Sequence, residues 1–276
     1  DLGAVTGRFG TDVTGTDAAN TITVNDGNSN VDAGKGNDTI YGGEGVDVLI
    51  GGKGDDSFIV RTTADIAASN VVEDTFTGGD GTDKILLNGG VTIASGDVWA
   101  SGSVTGVSGL YANGAQASAI SIITNATFKD ATGITTISLV DDTGASGSNV
   151  IDVSNDDGNE SWSLTGSSHI DTITGDGGTD TITGGPGNDT LNGKDGVDTV
   201  LGGTGDDTFV VVAATDILGT NIVEDTITGG ADNDDLSLGA VTIANTVTWA
   251  NVTELESITA NGVQTGNISL SLHADF

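Results

Sequence analysis

Cysteine and methionine are both absent from the 276-residue sequence, so disulfides and thiol chemistry are excluded. Basic residues are nearly absent too. Seven Lys and Arg stand against 40 Asp and Glu, a formal charge of -33. Such a surface repels nucleic-acid phosphates and anionic lipid headgroups and attracts divalent cations. No apolar run approaches the 18 residues of a membrane-spanning helix. The two histidines, His169 and His273, belong to no His-Glu-x-x-His helix, which removes a zinc-protease site from this stretch. Proline occurs once, at Pro186, and aromatics make up 4%. The chain begins at Asp1 with no basic-then-apolar leader, as expected of a processed chain or a fragment.

What is plentiful is glycine and aspartate, and both are phased. A nine-residue repeat runs from Gly15 to Leu86 and again from Gly166 to Ser237. Its sixth position is Asn20, Ser29, Asp38, Asp47, Asp56, Asp65, Asp74 and Asp83 in the first tract. In the second it is Asp171, Asp180, Asp189, Asp198, Asp207, Asp216, Asp225 and Asp234. The eighth position is large and apolar in every unit except that of Ala67. Disordered acidic tracts scatter their hydrophobic residues, whereas here they keep step, so the chain is expected to fold with calcium and to be disordered without it.

The unit Gly42-Gly-Glu-Gly-Val-Asp-Val-Leu-Ile shows how the repeat works. Glycines at the first, second and fourth positions allow a tight turn whose carbonyls face a common point. Positions seven to nine alternate outward, inward, outward, too short for a strand that stands alone. Such strands gain stability only by pairing with the next winding, which predicts a parallel solenoid with a ladder of Ile, Leu, Val and Phe inside. Two units per winding bring loops 18 residues apart onto one edge. Carboxylates and carbonyls there form an all-oxygen environment that suits calcium better than the stricter octahedron of magnesium.

The stretches Gly34-Lys-Gly-Asn-Asp-Thr-Ile, Gly51-Gly-Lys-Gly-Asp-Asp-Ser-Phe and Gly202-Gly-Thr-Gly-Asp-Asp-Thr-Phe resemble the glycine- and aspartate-rich nonapeptides of RTX proteins. That resemblance implies an all-β, right-handed parallel β-roll, several calcium ions between loops, and type I export with folding outside the cell. Carried over by residue, it pairs Asp38 with Asp56, Asp171 with Asp189, Asp180 with Asp198 and Asp189 with Asp207, and adds Asp47 and Asp83 as ligands. The glycines at the fourth position, Gly36, Gly45, Gly54, Gly178, Gly187, Gly196 and Gly205, complete the expected metal sites. Loops 60–65, 69–74, 211–216 and 220–225 keep the aspartate but lose every glycine. Asp65, Asp74, Asp216 and Asp225 are therefore expected to be solvated or turn-capping carboxylates. Asn20 and Ser29 suggest an ion-poor first winding.

The duplication extends beyond the loops: Asn70-Val-Val-Glu-Asp-Thr-Phe matches Asn221-Ile-Val-Glu-Asp-Thr-Ile, and Trp99 matches Trp249. Two modules, 1–122 and 166–276, each a roll followed by a strand-rich segment, are expected to flank β-rich connecting coils at 123–165. Trp99, Trp162 and Trp249 read as braces of the core, and His169 as a structural replacement of a loop glycine. Gly133-Ile-Thr-Thr-Ile-Ser-Leu also looks like the coils of bacterial S-layer proteins. The expectation is a secreted, extracellular or cell-surface structural protein without enzymatic activity. It would self-associate into a lattice or filament, with a surface polysaccharide as a candidate anchor. The alternatives are the stalk or C-terminal segment of a large RTX adhesin, or the secretion and folding domain of an exported enzyme.

Overall fold

The computed structural model describes residues 5–6, 12–24, 26–65, 67–68, 71–72, 74–99, 102–144, 147–156, 160–213, 216, 225–239 and 251–260. Trp249, His273 and the match between 241–249 and the first module lie outside them. The chain divides into two compact units, Asp1–Ser146 and Gly147–Phe276. The cut falls inside 123–165, so each unit takes part of that stretch.

In the first unit the strands Thr21–Thr23, Thr39–Tyr41, Ser57–Val60, Asp83–Leu87 and Val107–Ala112 pair in parallel, each with the next. Their register stacks Ile22, Ile40, Phe58, Ile85 and Leu110, all buried. A second parallel sheet, Asp12–Thr16, Asn30–Lys35, Val48–Lys53, Thr75–Asp80 and Val104–Thr105, stacks Val13, Val31, Leu49, Phe76 and Val104. The apolar eighth positions of alternate repeats thus form two ladders. Phe58 and Phe76 meet edge to face, with centroids 5.6 Å apart. Parallel winding continues past the last glycine-rich loop, where Leu110 pairs with Ile137 and Ile93 with Ile122.

The second unit repeats the plan. Leu164, Ile182, Val200, Ile227 and Val252 form one buried row, and Ile151, Ile173, Leu191, Phe209 and Leu236 the other. The fold is an all-β parallel β-roll, as the sequence predicts. Helix is confined to single turns among the described residues, such as Phe128–Thr132, whose Phe128 braces Trp99 edge to face at 5.5 Å. No described helix is long and apolar enough to cross a membrane.

Within each nonapeptide tract the winding length departs from the expected 18 residues at one step, and past the tracts it varies, with 25 residues from Ile85 to Leu110 and from Ile227 to Val252. Rungs Ile22–Ile40–Phe58 are 18 apart, but Phe58–Ile85 and Leu49–Phe76 are separated by 27. The same step separates Val200 from Ile227 and Phe209 from Leu236. The extra nine residues are one unit in each tract, the first of its two glycine-free loops, which cannot make the tight turn, while the second ends in Asp74 or Asp225 and rejoins the ladder. After Val60 the chain makes a single 3-10 turn, Thr63–Asp65, and Ala67–Ala68 pairs antiparallel with Val71–Val72.

Candidate metal centre

Loop 51–56 shows why glycine and aspartate recur together. A Cβ on Gly51 would overlap Oδ2 of Asp56, and one on Gly52, at φ 113°, would overlap the Gly34 carbonyl of the preceding winding. Only glycine fits where carboxylate and carbonyl oxygens approach this closely. At Gly184 the space a Cβ would need is bracketed by Oδ2 of Asp189 and, 2.8 Å away, the carbonyl of Gly202 in the next winding. The fourth-position glycines Gly36, Gly45, Gly54, Gly187, Gly196 and Gly205 adopt positive φ; Gly178 does not.

The sixth-position side chains turn inward and form a ladder. Oδ1 of Asp38 accepts the Asn20 N–H at 2.7 Å, and Oδ1 of Asp56 accepts the Asp38 N–H at 2.8 Å. Asp83 continues the row from Asp56, and Asp47 accepts from Ser29 in the other sheet. In the second unit Asp171 donates to Asp189, Asp189 to Asp207 and Asp180 to Asp198, each at 2.8 Å. All four expected pairs therefore meet, joined backbone to carboxylate. The other oxygen is left over: Oδ2 of Asp38, Asp47, Asp56, Asp83, Asp189, Asp198, Asp207 and Asp234 is buried without a hydrogen bond. Asp171 and Asp180 differ, with Oδ2 accepting the N–H of Ser167 and Asp176.

A buried carboxylate oxygen without a partner costs free energy unless a proton or a cation meets it. Desolvation accordingly pushes Asp198 up to about 8 and Asp189 to about 7, with neighbouring ladder carboxylates adding repulsion. Asp47, Asp56, Asp180 and Asp207 are raised to about 6, again chiefly by burial. Asp38, Asp83 and Asp171 are raised for the same reason. Among the described residues no three His, Asp or Glu side chains converge on one point. An ion held here must therefore take backbone carbonyls along with carboxylates, an all-oxygen donor set of the kind calcium accepts. Bound there, calcium would supply the positive charge that lets buried carboxylates stay ionised.

Two expectations change. Asp74 and Asp225, read as solvated or turn-capping, are buried and accept the N–H groups of Asp47 and Asp198 at 2.8 and 2.9 Å. A rung needs only the backbone of the winding before it, so loss of glycine in a residue's own loop does not remove it. Asp65 and Asp216 do cap turns: Asp65 accepts from Arg61 and Thr62, and Asp216 from Val212 and Ala213. His169 bonds locally, its backbone N–H donating to Ser167 Oγ at 3.1 Å.

A second ladder was missed. At the fifth position the Asn37 side chain accepts the Asp55 N–H, and Asp55 accepts the Thr82 N–H. Asn188, Asp206 and Asn233 repeat this in the second unit. It runs opposite to the buried ladder, each side chain reaching to the following winding, and it is exposed. The recurrence of Asn or Asp at 28, 37, 55, 188, 206 and 233 was the signal available in the sequence.

A family model described as RTX calcium-binding nonapeptide repeat (4 copies) matches residues 14–49, 23–58, 73–92, 165–200, 192–211 and 224–240. The gaps at 59–72 and 212–223 coincide with the glycine-free units. A search of curated proteins gave no match. The carboxylate ladder, its glycine cradle and these matches agree, and the chain is one built on RTX calcium-binding nonapeptide repeats, present in several copies and wound into parallel β-rolls.

Proposed function

We propose that this calcium-binding repeat protein is a secreted structural element of a bacterial cell surface, whose rolls fold and then assemble when calcium enters the carboxylate ladders. The observation that carries the reading is the row of buried, unpartnered Oδ2 atoms in both units. Rows of like charge sealed from water oppose winding, and cations between them reverse the sign of that interaction. Ion binding then becomes folding free energy. At the 10⁻⁴ to 10⁻³ M affinities usual for extracellular calcium modules, a low-calcium cytosol would leave the chain unfolded. Each unit supports a structural role by devoting its winding to the same stacked motif.

The test is a calcium titration followed by circular dichroism and, in parallel, by light scattering and electron microscopy. The expected result is a coil-to-β transition near millimolar calcium, followed by sheets or filaments. A chain equally well folded in excess chelator would refute the coupling of binding to folding. A chain that folds with calcium but stays monomeric would favour the adhesin-stalk alternative over a lattice.

A further inference from the structure

The two units share a buried row but not the outer face of the same sheet. Alternation along Thr39–Tyr41, Ser57–Val60, Asp83–Leu87 and Val107–Ala112 places Tyr41, Ile59, Leu86 and Tyr111 on the side opposite Ile40, Phe58, Ile85 and Leu110. Leu86 is in register with Ile59 and Tyr111, and Tyr41 follows Ile40, the partner of Phe58, so the four make one row across four windings. Two cations lie on its aromatic ends: the Arg61 guanidinium is 4.0 Å from the centroid of the Tyr41 ring, and the Lys84 ammonium 4.7 Å from that of Tyr111. In the second unit the row reads Asn192, Val210, Ser237 and Thr259. Val212 stands for Arg61, and Asp235, which accepts the hydroxyls of Ser257 and Thr259, stands for Lys84. The buried residues Leu191, Phe209 and Leu236 stay large and apolar. The roll therefore forms without aromatic or basic residues on this face, and their presence in the first unit needs a cause other than folding.

We infer that this strip of the first unit binds a carboxylate-bearing polysaccharide. The inference rests on the reading of a secreted surface chain and supplies that chain with an anchor. In a chain of net charge -33 a cation ordinarily ends beside a carboxylate, as Lys35 and Lys53 do with Asp17 and Asp80. Arg61 and Lys84 make no ion pair among the described residues. A ring holds a cation in place without neutralising it, so both keep their charge for an anion from outside. Tyr41, Leu86 and Tyr111 are half-buried, and their remaining surface gives the C–H faces of sugar rings an apolar floor. Three strand spacings make the row about 14 Å long, and one pair of outward residues makes it about 7 Å wide. That falls far short of the roughly 800 Å² per partner of a stable protein interface, which disfavours a second copy, whereas one extended sugar chain fits lengthwise. Repulsion from the acidic remainder of the surface is screened beyond about 8 Å at physiological salt.

The experiment titrates the full chain in saturating calcium with hyaluronan oligosaccharides and, as the uncharged counterpart, with dextran, by calorimetry. Hyaluronan is expected to bind more weakly as salt rises, and dextran not to bind. Arg61→Gln and Lys84→Gln should each weaken hyaluronan binding about tenfold, as expected for one lost charge-assisted hydrogen bond. Tyr41→Asn with Tyr111→Thr installs the second unit's residues and should weaken binding while keeping the calcium-dependent circular dichroism. Lys35→Gln, on the other sheet, should change nothing. A folded parent that ignores hyaluronan, binds it no better than dextran, or binds it unchanged in both charge variants would overturn the site. Loss of self-association in those variants by sedimentation velocity, with no glycan bound by the parent, would give the face to a second copy and overturn it too. A parent that does not fold with calcium would overturn the proposed function first and this site with it.

Discussion

Asp56 and Asp65 are nine residues apart in one unbroken phase, yet they have opposite fates. Asp56 is 1% exposed, tied to the winding before it, and keeps an unpartnered oxygen beside Gly51. Asp65 is half-buried in a 3-10 turn and spends both oxygens on the local Arg61 and Thr62 groups. The second unit makes the same contrast between Asp207 and Asp216. An aspartate in phase is therefore not enough. Glycines that let neighbouring backbones close to carbonyl distance leave Asp56 with an oxygen free to meet a cation, whereas Asp65, in a loop without them, spends both oxygens on its own turn.

The broadest way to break this contrast is to change protonation, because burial raises the ladder aspartates. Their folded values, about 8 for Asp198 and about 7 for Asp189, lie above the 3.8 of an unperturbed aspartate. A raised value means that the folded state binds more protons than the unfolded one. Support from these groups is thus complete below about pH 4 and is lost as pH rises through 6 to 8. Circular dichroism of the metal-free chain should show β-structure at pH 4 and lose it by pH 8. Calcium affinity should rise across the upper part of that range, as protons leave the ligands. A metal-free chain with equal order at both pH values would remove burial of the ladder carboxylates as the cause.

A smaller effect separates the two kinds of loop by sterics alone. Gly52→Val places a β-branched residue at φ 113° against the Gly34 carbonyl. Strain at such a position costs about 1 to 3 kcal/mol, and the overlap adds to it. Ala64→Val, exposed in the glycine-free excursion, should stay within about 0.5 kcal/mol of the parent. Thermal unfolding in saturating calcium measures both, and equal losses would deny the cradle its special role.

Much of this was legible in the sequence because the repeat encodes it locally. Glycine at the first, second and fourth positions, aspartate at the sixth and a large apolar residue at the eighth specify turn, rung and core, and the pairs Asp38–Asp56 and Asp189–Asp207 are joined as the phase predicts. The 27-residue windings were hidden because an insertion of one whole unit leaves the phase intact. Missing glycines at 60–65 and 211–216 marked the place, but the sequence does not say that Asp74 and Asp225 rejoin the ladder beyond it. That depends on which backbone N–H each carboxylate meets. The same dependence extends the device past the nonapeptides, where buried Asp142 accepts the Gln116 N–H at 2.9 Å and Gln116 accepts that of Gly89.

The finest distinction exchanges one atom. Asp56→Asn keeps an oxygen for the Asp38 N–H and replaces the unpartnered Oδ2 with an amide that cannot ligate a cation. In calcium the variant should bind fewer ions and unfold at lower temperature. In chelator the order should reverse, because removing a buried charge that repels Asp38 and Asp83 relieves the metal-free roll. Asp65→Asn, whose carboxylate only caps a turn, should change neither the ion count nor the sign of the calcium effect. The sign reversal at Asp56 is the discriminating readout, since a purely structural aspartate would be missed equally with and without calcium. If Asp56→Asn is destabilising in both conditions, the ladder is a hydrogen-bonding scaffold whose charge plays no part, and the distinction between the two aspartates reduces to burial.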